Sequence, residues 1–208
     1  MKNIYNSIIT LLLILIVTPS FAKKETILFT DGFDTAKRRV DQHNIGNFKQ
    51  YDLDQNEKQQ PNMKWLQSWG IWSCTGSDGE RTNCLLFVPN KQRNDDWVVS
   101  SEIVLSGVKK AYMELDYCSN WGVDSVNEFY VLISTDFKGD VKSATWKELP
   151  YTSFHKLSET KSQYISLKKY VGKSVHIAFR AKTDGKDSNI MHMTRNYFIS
   201  RVKVAAKK

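Results

Sequence analysis

Apolar and polar residues alternate along the central part of this chain, between residues 94 and 135. In residues 111–118 (AYMELDYC), one set of alternate positions holds Ala, Met, Leu and Tyr, and the other holds Tyr, Glu, Asp and Cys. Residues 128–134 (EFYVLIS) show the same period, with Phe, Val and Ile on one face. Successive side chains of a β-strand point to opposite faces of a sheet, so a period of two indicates a half-buried strand. Both segments are therefore predicted to be central strands of the fold.

Similar short segments lie on both sides of this stretch, at residues 25–30, 84–88, 145–149, 163–167, 175–181 and 196–204. Turn-forming residues separate them, and few stretches show the period of an amphipathic helix. A succession of about ten short strands with regular turns is typical of an antiparallel β-sandwich. No internal repeat or linker divides the chain. We therefore expect residues 23–208 to form a single all-β domain.

The N-terminal residues predict export. Lys2 is followed by an apolar run at residues 8–17 and by small residues up to Ala22, the pattern of a signal peptide over residues 1–22. A run of about ten apolar residues is too short to span a bilayer, which needs roughly 20. We expect an exported protein without a transmembrane segment. Periplasm, cell surface and extracellular medium all stay open as its location.

The charge distribution bears on the choice of partner. The formal net charge is +8, but the lysines are scattered among acids, and the clear clusters are residues 37–39 and 207–208. Basic residues form no stripe interleaved with aromatics, so no nucleic-acid partner is expected. A solvated surface on a monomer accounts for the charge. An anionic glycan or a membrane surface stays open as a weaker partner.

Three cysteines occur in the chain, and two of them bracket the loop-like segment CTGSDGERTNC. We predict a disulfide between Cys74 and Cys84, which would stabilise the fold by roughly 2–3 kcal/mol through the small loop it closes. Cys118 is then left as a free thiol in a strand.

Tryptophans supply the candidate ligand-binding residues. Trp69 and Trp72 flank Gly70, while Trp121 follows a predicted strand and precedes Asp124. Flat aromatic faces at strand ends can stack on sugar rings, and a nearby carboxylate can accept hydrogen bonds from hydroxyls. The alternative is that these side chains fill the core, as large aromatics commonly do. Trp97, which begins an apolar strand, is assigned to the core.

No catalytic group is recognisable. The four histidines fall in no metal or triad motif. Glu114 and Asp116 share one face of a predicted strand about 7 Å apart, a separation that would suit glycoside hydrolysis. Neighbouring acids are also common on a solvated sheet face, and no partner residues for a cleft are readable. We therefore predict a protein that is not an enzyme.

Acidic residues at 52–57 (DLDQNE) could wrap a hard cation. Alternating oxygen-bearing side chains suit calcium, although no glycine stands at the sharp-turn position of a helix–loop–helix site. A solvated acidic turn is an equally good interpretation of this segment.

Several segments, taken in order, resemble the strands of a known group of domains. They are DDWVVSSEIVL, AYMELDY, EFYVLIST, WKEL, YISLKKYVGKSVHIAFRA and NYFISRVKV. This order resembles the cleaved-adhesin and choice-of-anchor J group of jelly-roll domains, seen in secreted and surface proteins of Bacteroidetes. The resemblance extends from about Phe29 to Val204.

The resemblance implies an antiparallel jelly-roll β-sandwich of the galactose-binding-like type. It implies a non-catalytic module for glycan binding or adhesion at the cell envelope, with a glycan or a cell-surface protein as its partner. A protein–protein interaction module or structural envelope component is the alternative, and a glycoside-active enzyme is the least favoured interpretation.

The resemblance also implies a structural calcium ion. The candidate ligands are Asp31 and Asp34 in the early turn, with Asp52 and Asp54 in the acidic loop. Ser200 stands where the family has an Asp in its last strand, and the acidic loop lacks the family's usual glycines.

Overall fold

The chain folds into two antiparallel β-sheets. The computed structural model describes residues 25–36, 43–55, 69–88, 93–119, 127–152, 160–183 and 196–207. The predicted signal peptide at residues 1–22 lies outside the described residues. In chain order the strands are β1 (Glu25–Asp31), β2 (Asn44–Ile45), β3 (Phe48–Asp52), β4 (Trp69–Thr75), β5 (Arg81–Phe87), β6 (Asn94–Ser100), β7 (Ile103–Val104), β8 (Lys110–Ser119), β9 (Asn127–Ser134), β10 (Lys147–Glu148), β11 (Lys161–Ser166), β12 (Ser174–Thr183) and β13 (Tyr197–Lys207).

The first sheet has the order β11-β8-β13-β5-β4, and β1 also pairs with β13. The second sheet has the order β10-β9-β12-β6-β3-β2, and β7 also pairs with β12. Within the described ranges the only helical element is a 3-10 turn at Lys168–Tyr170. The predicted antiparallel β-sandwich is therefore confirmed. No helix in these ranges is long and apolar enough to cross a membrane.

Alternation in the strands builds the core between the sheets. Met113, Leu115 and Tyr117 of β8 are fully buried there, as their period predicts. Phe129 of β9 lies at the centre of the aromatic packing. Its ring centroid is 4.7 Å from that of Tyr197 and 5.1 Å from that of Tyr117. Because these rings come from both sheets, the central strands identified from the sequence do hold the layers together.

The two outer faces of the sandwich differ. Residues 135–146 cover part of the second sheet, where Trp146 packs on the buried Trp97 and Phe137 packs on Trp146. Over the first sheet, the turn between β4 and β5 reaches β8, and Ser77 Oγ donates a hydrogen bond to Asp116 Oδ2 at 2.8 Å. The half of the first sheet's outer face around β8, β11 and the end of β13 includes the exposed ring of Tyr164.

Candidate ligand-binding groove

The groove lies on the outer face of the first sheet, where the polar face of β8 points. The strand register places Tyr112 opposite Ser166 of β11, and Glu114 opposite Tyr164. On the other side of β8, Lys207 of β13 pairs with Lys110. Two tyrosines on neighbouring strands therefore come together, with lysines one row further along.

An exposed pair of aromatic rings forms the centre of this groove. The ring centroids of Tyr112 and Tyr164 are 5.7 Å apart, and Tyr164 is 69% exposed. The groove has a volume of about 460 Å³, and its lining residues are Lys110, Ala111, Tyr112, Tyr164, Ser166, Lys168 and Lys207. A concave site with aromatic rings and a few polar groups is the usual form of a small-ligand site.

Positive charge borders the rings. Lys207 Nζ lies 5.3 Å from the centroid of Tyr112, a cation–π contact that orients both side chains. Lys110, Lys168 and Lys207 are all exposed. Ser166 Oγ accepts a hydrogen bond from the backbone N–H of Lys168 at 3.4 Å. The groove therefore offers apolar ring faces together with ammonium donors.

Glu114 and Asp116 lie beside the groove, but they are not solvated as the sequence suggested. They are 5% and 3% exposed. Arg201 contacts both carboxylates, at 2.6 Å to Glu114 and 3.1 Å to Asp116, and Lys203 Nζ lies 2.8 Å from Glu114 Oε2. Burial of acids requires such partners.

Serine hydroxyls complete the surroundings of Asp116. Ser77 donates to one of its oxygens and Ser162 to the other, at 2.8 and 2.6 Å. Hydrogen bonding to Glu114 raises the pKa of Lys203, which keeps that lysine charged. The two acids are thus held in ion pairs and hydrogen bonds, an arrangement of structural carboxylates rather than of an acid–base pair.

The predicted tryptophan site does not form at Trp69. Trp69 is 1% exposed, and its ring centroid lies 5.3 Å from Phe87 and 6.4 Å from Phe129. A ring enclosed by the core cannot stack on a ligand, so this prediction is wrong for Trp69. Trp72 points to the opposite face and is half-buried against a cluster that includes Cys84 and Leu86. Trp121 and Asp124 lie outside the described residues.

Sequence reasoning missed Tyr112 and Tyr164. Both stand on the polar side of an alternating segment, AYMELDY and QYISL, where an aromatic residue is unexpected. The sequence alone thus marks each tyrosine as an aromatic residue on a polar strand face. Their contact depends on the pairing of β8 with β11, two strands separated by more than 40 residues, which no local pattern specifies.

The four aspartates predicted to bind calcium are divided between two places. Asp52 and Asp54 lie near Asp96 of β6, and one carboxylate oxygen from each of the three falls within 4.8 Å of the others. Asp31 instead accepts hydrogen bonds from the backbone N–H groups of Phe33 and Asn47, at 2.8 and 2.5 Å. Asp34 is exposed.

Strand register also corrects the predicted disulfide. All three cysteines fall in the described residues and none is in a disulfide. Cys74 lies opposite Thr82 and Cys84 opposite Trp72, so the two cysteines are diagonal neighbours. Their Cβ atoms are then roughly 7 Å apart, whereas a disulfide needs about 3.8 Å. Cys118 is buried, and this burial raises the pKa of its thiol to about 11.

The outer face of the second sheet carries a different aromatic cluster. Trp97 is 5% exposed, as predicted for a core residue, and the guanidinium of Arg180 lies 4.8 Å from its ring centroid. Asp95 holds Arg180 with two hydrogen bonds of 2.7 and 2.6 Å. Hydrogen bonding to Glu128 raises the pKa of Tyr130 to about 12. The polar groups of Asp95, Arg180, Glu128 and Tyr130 are therefore hydrogen-bonded within this cluster.

The fold and the groove define a β-sandwich protein with an aromatic, basic groove on the outer face of its first sheet. No protein-family model matches the sequence, and no curated protein is significantly similar to it. Solved structures do match. The K1 cleaved adhesin domain of Lys-gingipain from Porphyromonas gingivalis W83 has a TM-score of 0.53 at 13% identity, over 86% of this chain and 98% of that one.

Two further structures match less well. The glycoside hydrolase domain structure of Endo-D from Streptococcus pneumoniae R6 has a TM-score of 0.50 at 14% identity, and the match covers 85% of this chain and 27% of that one. TmCBM61 in complex with beta-1,4-galactotriose gives 0.45 at 8% identity, over 77% and 88% of the two chains. The likeness to the cleaved adhesin domain confirms the predicted resemblance at the level of the fold.

Proposed function

We propose that this protein is an exported, non-catalytic binding module whose ligand is a glycan at the cell envelope. The observation that carries the proposal is the exposed Tyr112–Tyr164 pair in its groove. Sugar rings have apolar C–H faces that pack on aromatic rings, and the adjacent Ser166 and lysines supply polar contacts. A fold shared with a cleaved adhesin domain is compatible with adhesion at a cell surface.

The main alternative is a module that binds another protein at the envelope. The exposed Ile27 favours it, since this residue is 57% exposed and pairs with Ala205, next to Tyr112 in the same sheet. A protein ligand would cover Ile27 together with the tyrosines. A glycan ligand would need the tyrosine rings alone.

A glycan array followed by calorimetric titration tests the proposal. We expect a saturable glycan hit, and about tenfold weaker binding or more after Tyr164→Ala, because the stacking surface is lost. Tyr164→Phe should keep most of the affinity, since it keeps the ring. Val104→Ala is the matched control, because Val104 is also exposed, at 50%, but lies in β7 of the other sheet. Equal affinity for Tyr164→Ala and the unmodified protein would refute the assignment of the groove.

We also propose a calcium ion at Asp52, Asp54 and Asp96, for which their mutual proximity is the support. Carboxylate oxygens are ligands that calcium prefers. Backbone N–H groups orient two of these side chains, because Gln55 donates to Asp52 Oδ1 at 2.7 Å and Asp95 donates to Asp54 Oδ2. Three carboxylates at this separation repel one another, and a bound divalent cation would offset that repulsion. Its role would be structural, joining the end of β3 to β6.

A further inference from the structure

We propose that the tyrosine groove selects acidic saccharides, those carrying carboxylate or sulfate groups, and that Lys110, Lys168 and Lys207 contact the anions. This inference rests on the proposed glycan-binding function and names the class of glycan. The three lysines line the groove, and all are exposed. In the described part of the chain, none of them forms an ion pair with an acidic side chain, so their charges are available to a ligand.

Arg201 and Lys203, neither of which lines the groove, form ion pairs with the acids beside it. Glu114 contacts Arg201 and Lys203, and Glu25 contacts Lys203 at 3.3 Å. The carboxylates therefore do not compete for the groove lysines. A neutral saccharide could stack on the tyrosine rings, but it would carry no negative charge to pair with the groove lysines. Charge complementarity favours an anionic ligand.

The arrangement along the strands gives the site a direction. Tyr164 lies opposite Glu114, Tyr112 stands two residues from Glu114 along β8, and Lys110 stands two residues further. At the rise of a β-strand, about 13 Å separates the row of Tyr164 from the row of Lys110 and Lys207. A short oligosaccharide spans this distance. One sugar would stack on Tyr164, and the acidic group of a following sugar would reach the lysines.

Exposed lysines bind single anions weakly, so the selectivity depends on rings and charges together. The test compares three probes by titration: an oligogalacturonate, its carboxyl-reduced neutral form, and a heparin-derived oligosaccharide. We expect tighter binding of at least one acidic probe than of the neutral form, by about tenfold, weakening as salt rises. The carboxylated and sulfated probes distinguish the two sources of negative charge.

Charge-matched variants locate the effect. The triple variant Lys110→Gln, Lys168→Gln, Lys207→Gln should lose the preference for the acidic probe, with about tenfold weaker binding. The control Lys138→Gln, Lys142→Gln, Lys147→Gln removes the same charge from exposed lysines around the second sheet and should bind as the unmodified protein does. If both triple variants lose affinity equally, binding depends only on the overall charge of the protein, and the inference is overturned.

Other outcomes separate this inference from the proposed function. Equal binding of the carboxyl-reduced probe, sensitive to Tyr164→Ala, would overturn the acidic selectivity and leave a glycan-binding module. A single-stranded oligonucleotide bound as tightly as the acidic saccharides, through the same lysines, would overturn it in favour of general polyanion binding. Absence of binding to these probes and to every glycan on the array would overturn both proposals.

Discussion

At the scale of single residues, Asp31 shows how a predicted ligand can be a structural group instead. Its two carboxylate oxygens join the turn after β1 to the loop before β3, by accepting hydrogen bonds from Phe33 and Asn47. Burial raises the pKa of Asp31, and these two backbone hydrogen bonds oppose the rise. Gly46 leaves the space for this contact, since a Cβ there would lie 2.3 Å from Asp31 Oδ2.

Replacing Gly46 by Ala should therefore destabilise the protein for two reasons. Its φ is +59°, which costs an L-residue roughly 1–2 kcal/mol, and the new methyl group displaces the Asp31 carboxylate. We expect urea denaturation to show a total loss of about 3 kcal/mol. Gly107→Ala is the control, because Gly107 has φ +75° but nothing within 4 Å of its Cβ position. Equal losses in the two variants would show that the clash with Asp31 contributes nothing.

Residue-scale predictions from the sequence succeeded where the local pattern was unambiguous. Trp97 stands at the start of an apolar strand and is buried, as predicted. Trp69 was misjudged because glycine and serine near it suggested a loop. The alternation of Trp69 and Ile71 against Gly70 and Trp72 did contain the answer, since Trp69 and Ile71 share the buried face.

At the scale of elements, the β4–β5 hairpin determines what its cysteines can do. Its register makes Cys74 and Cys84 diagonal rather than opposite neighbours. The turn folds over β8, so Cys84, Leu86, Cys118 and Phe198 form a small buried cluster outside the main core. Thr160 Oγ1 lies 3.6 Å from Cys118 Sγ and closes this cluster from the side of β11. Burial of this cluster, and not a disulfide, therefore stabilises the hairpin.

Thiol labelling checks this account of the hairpin. The protein unfolded without reductant should react at all three cysteines. In the folded protein at pH 8 we expect Cys74, which is half-buried, to react first. Cys118 should react slowly because burial raises its pKa to about 11, and the thiolate is the reactive form. A Cys74→Ala variant should abolish the fast phase. A single reactive thiol in the unfolded protein would establish a disulfide, and peptide mapping of that bond to Cys74 and Cys84 would contradict the register argument.

The sequence predicts features that depend on neighbouring residues better than features that depend on residues distant along the chain. The alternation in β8, β9 and β12 is local, so the sequence identified these strands and their buried faces. Pairing of β8 with β11 and β13 joins residues distant along the chain. The groove, the Arg201 ion pairs and the aspartate cluster all depend on such pairings. Period and composition indicate that a residue lies on a polar face, but not which residue of another strand stands beside it.

At the scale of the whole molecule, the aspartate cluster connects the end of β3 and the turn after it to a central strand of the second sheet. Asp52 pairs with Asp96, and Asp96 pairs with Ala181 on the other side of β6. A cation bound there would couple an outer part of the second sheet to its centre. Its effect should therefore appear in the cooperative unfolding of the molecule, and not as a change in one loop.

Thermal unfolding with calcium or with a chelator measures that coupling. A ligand that binds only the folded protein stabilises it by about 2.7 kcal/mol at a hundred times its dissociation constant, which for a domain of this size raises the midpoint by roughly 5–10 °C. We expect this rise in the unmodified protein and its loss in Asp52→Asn. Asp34→Asn is the control, since Asp34 was a predicted ligand but is exposed and outside the cluster. If calcium leaves the midpoint unchanged, no tight site exists. If it raises the midpoint of Asp52→Asn equally, the ion binds elsewhere.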